Sequence, residues 1–214
     1  MFPEERRHII TEILRKQGRC RVDDLAGKLQ VSEVTVRQDL DILEREGMLR
    51  RTHGGAILNP QSSFERSFQL EATSFAREKE RIGQAAAALV EDGATIILDV
   101  GTTVTQLARN LTERKDLTVF TNALNIAMLL EDAPGVELIV TGGTLRRQQH
   151  SLVNPFGSLI TERINADMVF IGCNGIDAEH GLTNVNLAEA EMKTLFIKAA
   201  RHRVVLADSS KVGN

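Results

Sequence analysis

Apolar residues recur at helical spacing from the start of the chain. Ile9, Ile10, Ile13 and Leu14 predict an amphipathic helix over residues 4–17, ended by Gly18. Val22, Leu25, Ala26 and Leu29 predict a second, shorter helix, which Gln30-Val31-Ser32 breaks. Val36, Leu40 and Leu43 form the inner stripe of a third over residues 33–45. Ser32 is suited to cap that helix, Glu33 lies in its first turn, and Gly47 stops it. In Met48 to Leu58 two short apolar ends flank Gly54-Gly55, the pattern of a tight hairpin. Residues 3–58 thus read as three helices and a hairpin. Residues 59–75 carry Pro60 and a Ser-rich start, and read as a linker that turns helical toward its end.

From residue 76 to 214 the pattern is different. An Ala-rich helix over residues 76–91 ends at Gly93. Short, continuous runs of Ile, Val and Leu follow at Ala94–Asp99, Leu117–Thr121, Val136–Thr141, Met168–Gly172 and Val204–Ala207. Such runs suit strands buried on both faces. Helical segments separate the early ones, so the fold class is α/β, an open and largely parallel sheet. No internal repeat and no low-complexity tract interrupts it.

Composition narrows the function. With 214 residues, 42% hydrophobic and 26% charged, the chain can bury a core and lacks the signature of disorder. The absence of Trp and Tyr argues against aromatic platforms for sugars or single strands. Cys20 and Cys173 lie far apart, which makes a disulfide framework or a zinc site improbable. There is no apolar run of membrane-spanning length and no leader-like N-terminus, so the expected compartment is the cytoplasm. The net charge of −3 requires any nucleic-acid contact to be local. Residues 1–57 hold 11 Lys and Arg against 10 Asp and Glu, a balance of the right sign but small.

The helix over residues 33–45 has a polar outer face of Glu33, Val34, Arg37, Gln38 and Asp41. A second helix after a tight turn, with such a face, is the reading element of a helix-turn-helix, here spanning about residues 20–39. Arg37 can pair with guanine and Gln38 with adenine, each worth about 1–3 kcal/mol of discrimination. Ser32 and Thr35 can bond phosphate at the helix start. Arg50, Arg51 and His53 would form a basic hairpin beside the DNA backbone. Asp39 reads as the partner of a neighbouring Arg.

These residues resemble a family. Ser32-Glu33-Val34-Thr35-Val36-Arg37-Gln38-Asp39-Leu40, followed by Leu49-Arg50-Arg51-Thr52-His53-Gly54-Gly55-Ala56, is similar to the DeoR-type winged helix-turn-helix of bacterial sugar-metabolism regulators. Gln38 stands where that family usually carries Arg or Lys.

Ligands of open α/β sheets bind beyond the carboxyl ends of the strands. There the chain places Asp99-Val100-Gly101-Thr102-Thr103, Thr121-Asn122, and Thr141-Gly142-Gly143-Thr144 with Arg146 and Arg147 close behind. The later strands end in Gly172-Cys173-Asn174-Gly175-Ile176-Asp177 and Asp208-Ser209-Ser210-Lys211. Small, hydroxylated and charged residues at five strand ends suit a small, anionic polyhydroxy ligand. Phosphate would sit at Gly101–Thr103, hydroxyls would meet Asp99, Asn122 and Asn174, and Lys211 or Arg146 would add charge. The loops, with Gly181-Leu182-Thr183 and Glu189-Ala190-Glu191-Met192-Lys193, resemble the DeoR effector domain in the family's order. That resemblance implies a fold like ribose-5-phosphate isomerase and a phosphorylated-sugar effector, with Thr121, Gly142, Gly143 and Gly175 among the binding loops. Family members usually continue past this Ser-Lys-x-Gly, whereas this chain stops at Asn214, as a fragment or a shortened protein would.

The competing reading is a sugar-phosphate isomerase-like enzyme, with Glu189, Glu191 and Lys193 as nominees. Their helical spacing reads instead as a solvated face, and Asn174-Gly175 occupies the loop where those isomerases carry Asp. The five His residues have no metal-ligand spacing, and no dinucleotide fingerprint or nucleophile elbow is present. The expected protein is a DNA-binding repressor without cofactor, metal or catalysis. Its expected partners are double-stranded operator DNA, a phosphorylated sugar and further copies of itself.

Overall fold

Pro3 opens α1 (Pro3–Gln17) at a position where no N–H is needed, and Gly18 closes it. A short strand, β1 (Arg19–Arg21), leads into α2 (Val22–Leu29). Gln30 ends α2 in the left-handed region at φ 54°, turning the chain tightly into α3 (Glu33–Arg45). The hairpin is β2 (Leu49–Thr52) and β3 (Gly55–Leu58). β3 lies in the middle of an antiparallel sheet in the order β1-β3-β2. β1 was not legible in the sequence, because Arg-Cys-Arg has no apolar run.

The structure is a computed structural model that describes residues 2–45, 48–58, 67–154 and 157–213. Gly47 as helix stop, and the Pro60 and Ser-rich start of the linker, lie outside the described residues. The chain divides into two units, Met1–Glu65 and Arg66–Asn214.

In the first unit Ile10, Leu14, Leu25, Val36, Leu40, Leu43 and Leu49 form one core. Each such side chain, fully buried, contributes about 1.5–3 kcal/mol. An ion pair runs through the same interior: Arg6 Nη2 donates to Asp39 Oδ1 at 3.2 Å, and Arg6 Nε bonds Asp39 Oδ2. Both residues are buried, and Arg7 approaches the same carboxylate. The pair fixes α3 on α1.

The second unit opens with α4 (Phe68–Thr73) and α5 (Ala76–Ala87). The part of the expected linker that is described therefore packs in this unit. Then come β4 (Thr95–Leu98), α6 (Thr102–Arg109), β5 (Leu117–Thr121), α7 (Leu124–Leu130) and β6 (Val136–Val140). A hairpin of β7 (Thr144–Arg146) and β8 (Ser151–Val153) precedes α8 (Gly157–Thr161) and β9 (Ala166–Ile171). A second hairpin, β10 (Gly175–Asp177) and β11 (Gly181–Thr183), leads to α9 (Leu187–Lys198) and β12 (Ala200–Val205). A 3-10 turn, Ser209–Lys211, follows.

Five strands form one parallel sheet in the order β12-β9-β4-β5-β6. Alternation along β4 separates its faces. Ile96 and Leu98 enter a core with Leu107, Val119, Leu130 and Phe170, while Ile97 joins Val169, Ile171, Met192 and Phe196. Helices thus cover both faces. A Cβ on Gly83 of α5 would stand 2.6 Å from the Gln106 carbonyl carbon, so only glycine lets α5 lie this close to α6.

Two expected boundaries shift. The last strand is Ala200–Val205, not Val204–Ala207. It lies at the sheet edge and exposes Arg201, His202 and Arg203, so an apolar run marks only its end. α5 stops at Ala87 rather than residue 91, because Leu89 and Val90 bond back three residues to Ala86 and Ala87.

Asp39→Ala would leave Arg6 buried without its carboxylate, at a cost of about 3 kcal/mol to the first unit. The expected result is that hydrogen exchange in urea shows the α1–α3 amides opening at lower denaturant. An unmoved transition would show that the pair adds nothing.

Candidate functional site

Ser32 Oγ accepts the Thr35 N–H at 3.2 Å and lies 2.9 Å from Thr35 Oγ1, so the hydroxyls sit together at the start of α3. Val36, Asp39, Leu40 and Leu43 are buried. Glu33, Val34, Arg37, Gln38 and Asp41 are exposed, the outward set that the spacing predicts. Arg37 Nη2 donates to Glu33 Oε2 at 2.7 Å, one turn away, with both side chains half exposed. Such a pair is worth about 0.3–0.5 kcal/mol, so a base edge can draw the guanidinium away. Arg51 instead braces the hairpin. It pairs with Asp41, donates to the Arg37 carbonyl at 3.2 Å, and gives its backbone N–H to Glu44 at 2.6 Å. Arg50 and His53 are exposed on the hairpin.

In the second unit, parallel pairing aligns the carboxyl ends of all five strands. Beyond β4, Gly101 adopts φ 153°, a conformation suited to glycine, and its carbonyl accepts the Thr105 N–H at 2.9 Å. α6 therefore begins directly at the sheet edge with Thr102 and Thr103 buried, and its first N–H groups have no partner within the helix. Asp99 is 1% exposed. Its Oδ2 accepts the Gly172 N–H at 3.2 Å and pairs with Lys193 Nζ. Its Oδ1 finds no hydrogen-bond partner among the described residues. Burial pushes this carboxyl above its ordinary range, and Lys193 opposes the push.

Beyond β5, Thr121 is a structural tie: its hydroxyl donates to the Leu98 carbonyl at 2.7 Å and accepts the Ala123 N–H at 3.0 Å. Asn122 is buried, donates through Nδ2 to the Leu152 carbonyl at 3.3 Å, and leaves Oδ1 without a partner among the described residues. Gly142 and Gly143 turn the chain beyond β6 into β7. Arg146 pairs with Glu189. Asn174 is exposed and its Oδ1 accepts the Val185 N–H at 2.9 Å, which ties it to the loop after β11. Gly175 starts β10. Lys211 Nζ lies 2.6 Å from Glu71 Oε1.

The expected solvated face of α9 is not one. Glu189 and Lys193 are buried and only Glu191 is exposed. Ser151 Oγ donates to Glu189 Oε1 at 2.5 Å, the same oxygen that Arg146 meets. The stripe 189, 192, 193 and 196 carried the signal: Met192 and Phe196 are core residues, and Glu189 and Lys193 share their side of the helix. Asp208 was also missed as a site residue. It is buried, its Oδ1 holds Ser210, and its Oδ2 has no partner among the described residues. Cys173 lies within electrostatic reach of Lys193, Lys211, Asp208 and Asp99, and burial pushes its thiol up. Lys79 is 1% exposed, its Nζ on the Glu71 carbonyl at 2.5 Å; burial pushes its ammonium down. Among the described residues no helix is long and apolar enough to cross a membrane.

Comparison with known proteins decides the family. The DeoR-like helix-turn-helix domain matches residues 6–62, and the DeoR C terminal sensor domain matches residues 74–214. The chain belongs to the DeoR family. This DeoR-family chain is 37% identical over 213 residues to the HTH-type transcriptional regulator GolR of Listeria innocua serovar 6a, covering 100% of this chain and 84% of that protein. It is 36% identical over 217 residues to the HTH-type transcriptional repressor GlcR of Bacillus subtilis, covering 100% and 82%. Among solved structures it is similar to ribose 5-phosphate isomerase A from Methanocaldococcus jannaschii, with TM-score 0.48 and 19% identity over 65% of this chain. It is also similar to eIF2B delta from Chaetomium thermophilum, with TM-score 0.50 and 17% identity over 68%. The chain spans about half of each of those two structures, 55% and 52%, and the likeness shows the fold alone. As a DeoR-family member the chain is a DNA-binding transcription regulator with a small-molecule sensor domain.

Proposed function

We propose that this protein represses sugar-metabolism genes and that a phosphorylated sugar sets its hold on operator DNA. One observation carries the effector reading. Asp99 Oδ1 and Asn122 Oδ1, just beyond the neighbouring strands β4 and β5, are buried acceptors without partners among the described residues, and they lie at the edge where α6 begins. A buried acceptor without a donor costs about 1–3 kcal/mol. Ligand hydroxyls would remove that cost, while the helix start receives an anion. A sugar phosphate offers both groups. The paired cations Arg146 and Lys211 are reserve charges that an anionic ligand must win from Glu189 and Glu71.

In this reading Arg37 and Gln38 face base edges, Ser32 and Thr35 meet phosphate, and Arg50 and His53 lie along the backbone. Arg51 holds the hairpin in place for them. The DNA-binding form is a homo-oligomer, because one small module contacts too little DNA for tight, selective binding and symmetric dimers match palindromic half-sites. A 100-fold change in operator affinity requires a coupling of about 2.7 kcal/mol between effector and DNA. Catalysis is not part of the reading. Glu189 is held by Arg146 and Ser151, Lys193 is held by Asp99, and an amide at Asn174 cannot serve as a general base.

Arg37→Ala should cost about 1–3 kcal/mol at its base pair and relax sequence preference while effector binding stays intact. Selection of bound sequences from a randomised library checks this; an unchanged preference removes Arg37 from the reading set. Thr102→Val should weaken ribose 5-phosphate about tenfold or more by loss of a charge-assisted hydrogen bond, and ribose much less. Calorimetry that finds equal losses for the two would move the phosphate elsewhere.

A further inference from the structure

Glu71 is an acidic residue of α4 set between two lysines from distant parts of the second unit. Lys79 Nζ bonds its carbonyl at 2.5 Å and lies 3.3 Å from its Oε1. Lys211 Nζ reaches the same Oε1 at 2.6 Å, with both side chains four-fifths buried or more. Two ammonium groups converging on one carboxylate oxygen in a poorly hydrated place make a seat for an anion. Asp208 is within electrostatic reach of Lys79 and its carbonyl accepts the Lys211 N–H at 3.1 Å, but its Oδ1 is occupied by Ser210. If Glu71 left, one carboxylate would face two ammonium groups, and a phosphate carrying about −1.5 to −2 charge would replace it with charge to spare.

α4 depends on that seat. It has six residues, none of them fully buried; Phe68, Leu70, Glu71 and Ala72 are half-buried and the helix packs on α6, but its own length cannot hold it. Its ties to the loops include polar and edge contacts. The Phe68 N–H donates to the Gln148 carbonyl at 2.9 Å, and the Phe68 ring meets His150 edge-on at 5.2 Å. Gln148 and His150 belong to the β7–β8 turn, just after Arg146, and Lys211 belongs to the turn after β12. Loops that carry expected effector ligands thus hold α4 at Phe68 and at Glu71. In the other direction residues 59–66 join α4 to β3 of the DNA-binding unit.

We propose that the Glu71 carboxylate is an internal substitute for the effector's anionic group: an anion seated between Lys79 and Lys211 displaces it and releases α4. This rests on the sugar-phosphate reading and adds the element through which that ligand acts. Ligand binding and release of α4 become one competition, so the effector's preference for the released state equals what Glu71 loses.

The test uses the full chain, inorganic phosphate as the probe, and Glu71→Gln, which keeps the shape and removes the charge. Calorimetry should show Glu71→Gln binding phosphate about five- to tenfold more tightly than the natural chain. Lys211→Met added to that variant should abolish the gain. Hydrogen exchange should show the amides of residues 68–73 losing protection when phosphate saturates the natural chain. The same amides should already be less protected in Glu71→Gln without phosphate. Equal phosphate affinity in both proteins, or α4 amides indifferent to phosphate, overturns the latch and leaves a sugar-phosphate sensor standing. Phosphate binding to neither protein counts against the latch and the anionic effector alike.

Discussion

The Lys193–Asp99 ion pair lies at the centre of the parallel sheet's carboxyl edge, and the surrounding charges are arranged around it. A buried ion must be paired, and three little-exposed cations at this edge are paired: Lys193 with Asp99, Arg146 with Glu189, Lys211 with Glu71. The pairs join elements far apart in sequence. α9 is tied to β4, the β7 hairpin to α9, and the C-terminal turn to α4. The edge therefore carries three ion pairs beside buried oxygen atoms that have no partner among the described residues.

That arrangement determines how a ligand can act. An anion gains nothing from a cation already neutralised unless it displaces the resident carboxylate, and displacement loosens whatever that carboxylate held. Asp99 and Glu189 stand on the core elements β4 and α9 and have little freedom to leave. Glu71 stands on α4, a six-residue helix with no fully buried residue. The competition is then resolved at Glu71, and in sequence residues 59–66 join α4 to the unit that carries α3. On that unit the Arg6–Asp39 pair ties α3 to α1, and Arg51 braces the hairpin against α3.

Much of this was legible in the residues. The Val36, Leu40 and Leu43 stripe defined α3 and its outward face, and continuous Ile, Val and Leu runs located four of the five parallel strands closely. The glycine and threonine pattern at Gly101–Thr103 marked the start of α6 within two residues. What escaped has physical reasons. The edge strand β12 needs no apolar run, and β1, β7, β8, β10 and β11 are too short to show a period. Glu189 and Lys193 looked solvated because charged residues usually are; only their stripe with Met192 and Phe196 betrayed them. Thr121 and Asn174 were read as ligand groups because hydroxyl and amide side chains serve ligands and backbone equally well. The backbone groups that they bond, Leu98 of β4 and Val185 of the loop after β11, are ones that no local pattern names.

The central claim is that sugar-phosphate binding and operator binding are linked through one equilibrium. Fluorescence anisotropy at fixed salt, with labelled DNA from upstream of the chain's own gene and a panel of sugar phosphates, measures that link directly. The account predicts specific binding that one compound changes, and a change in that compound's affinity by the same factor when DNA is bound. Specific binding that no compound alters, or no preference over random DNA in a folded sample, would contradict it.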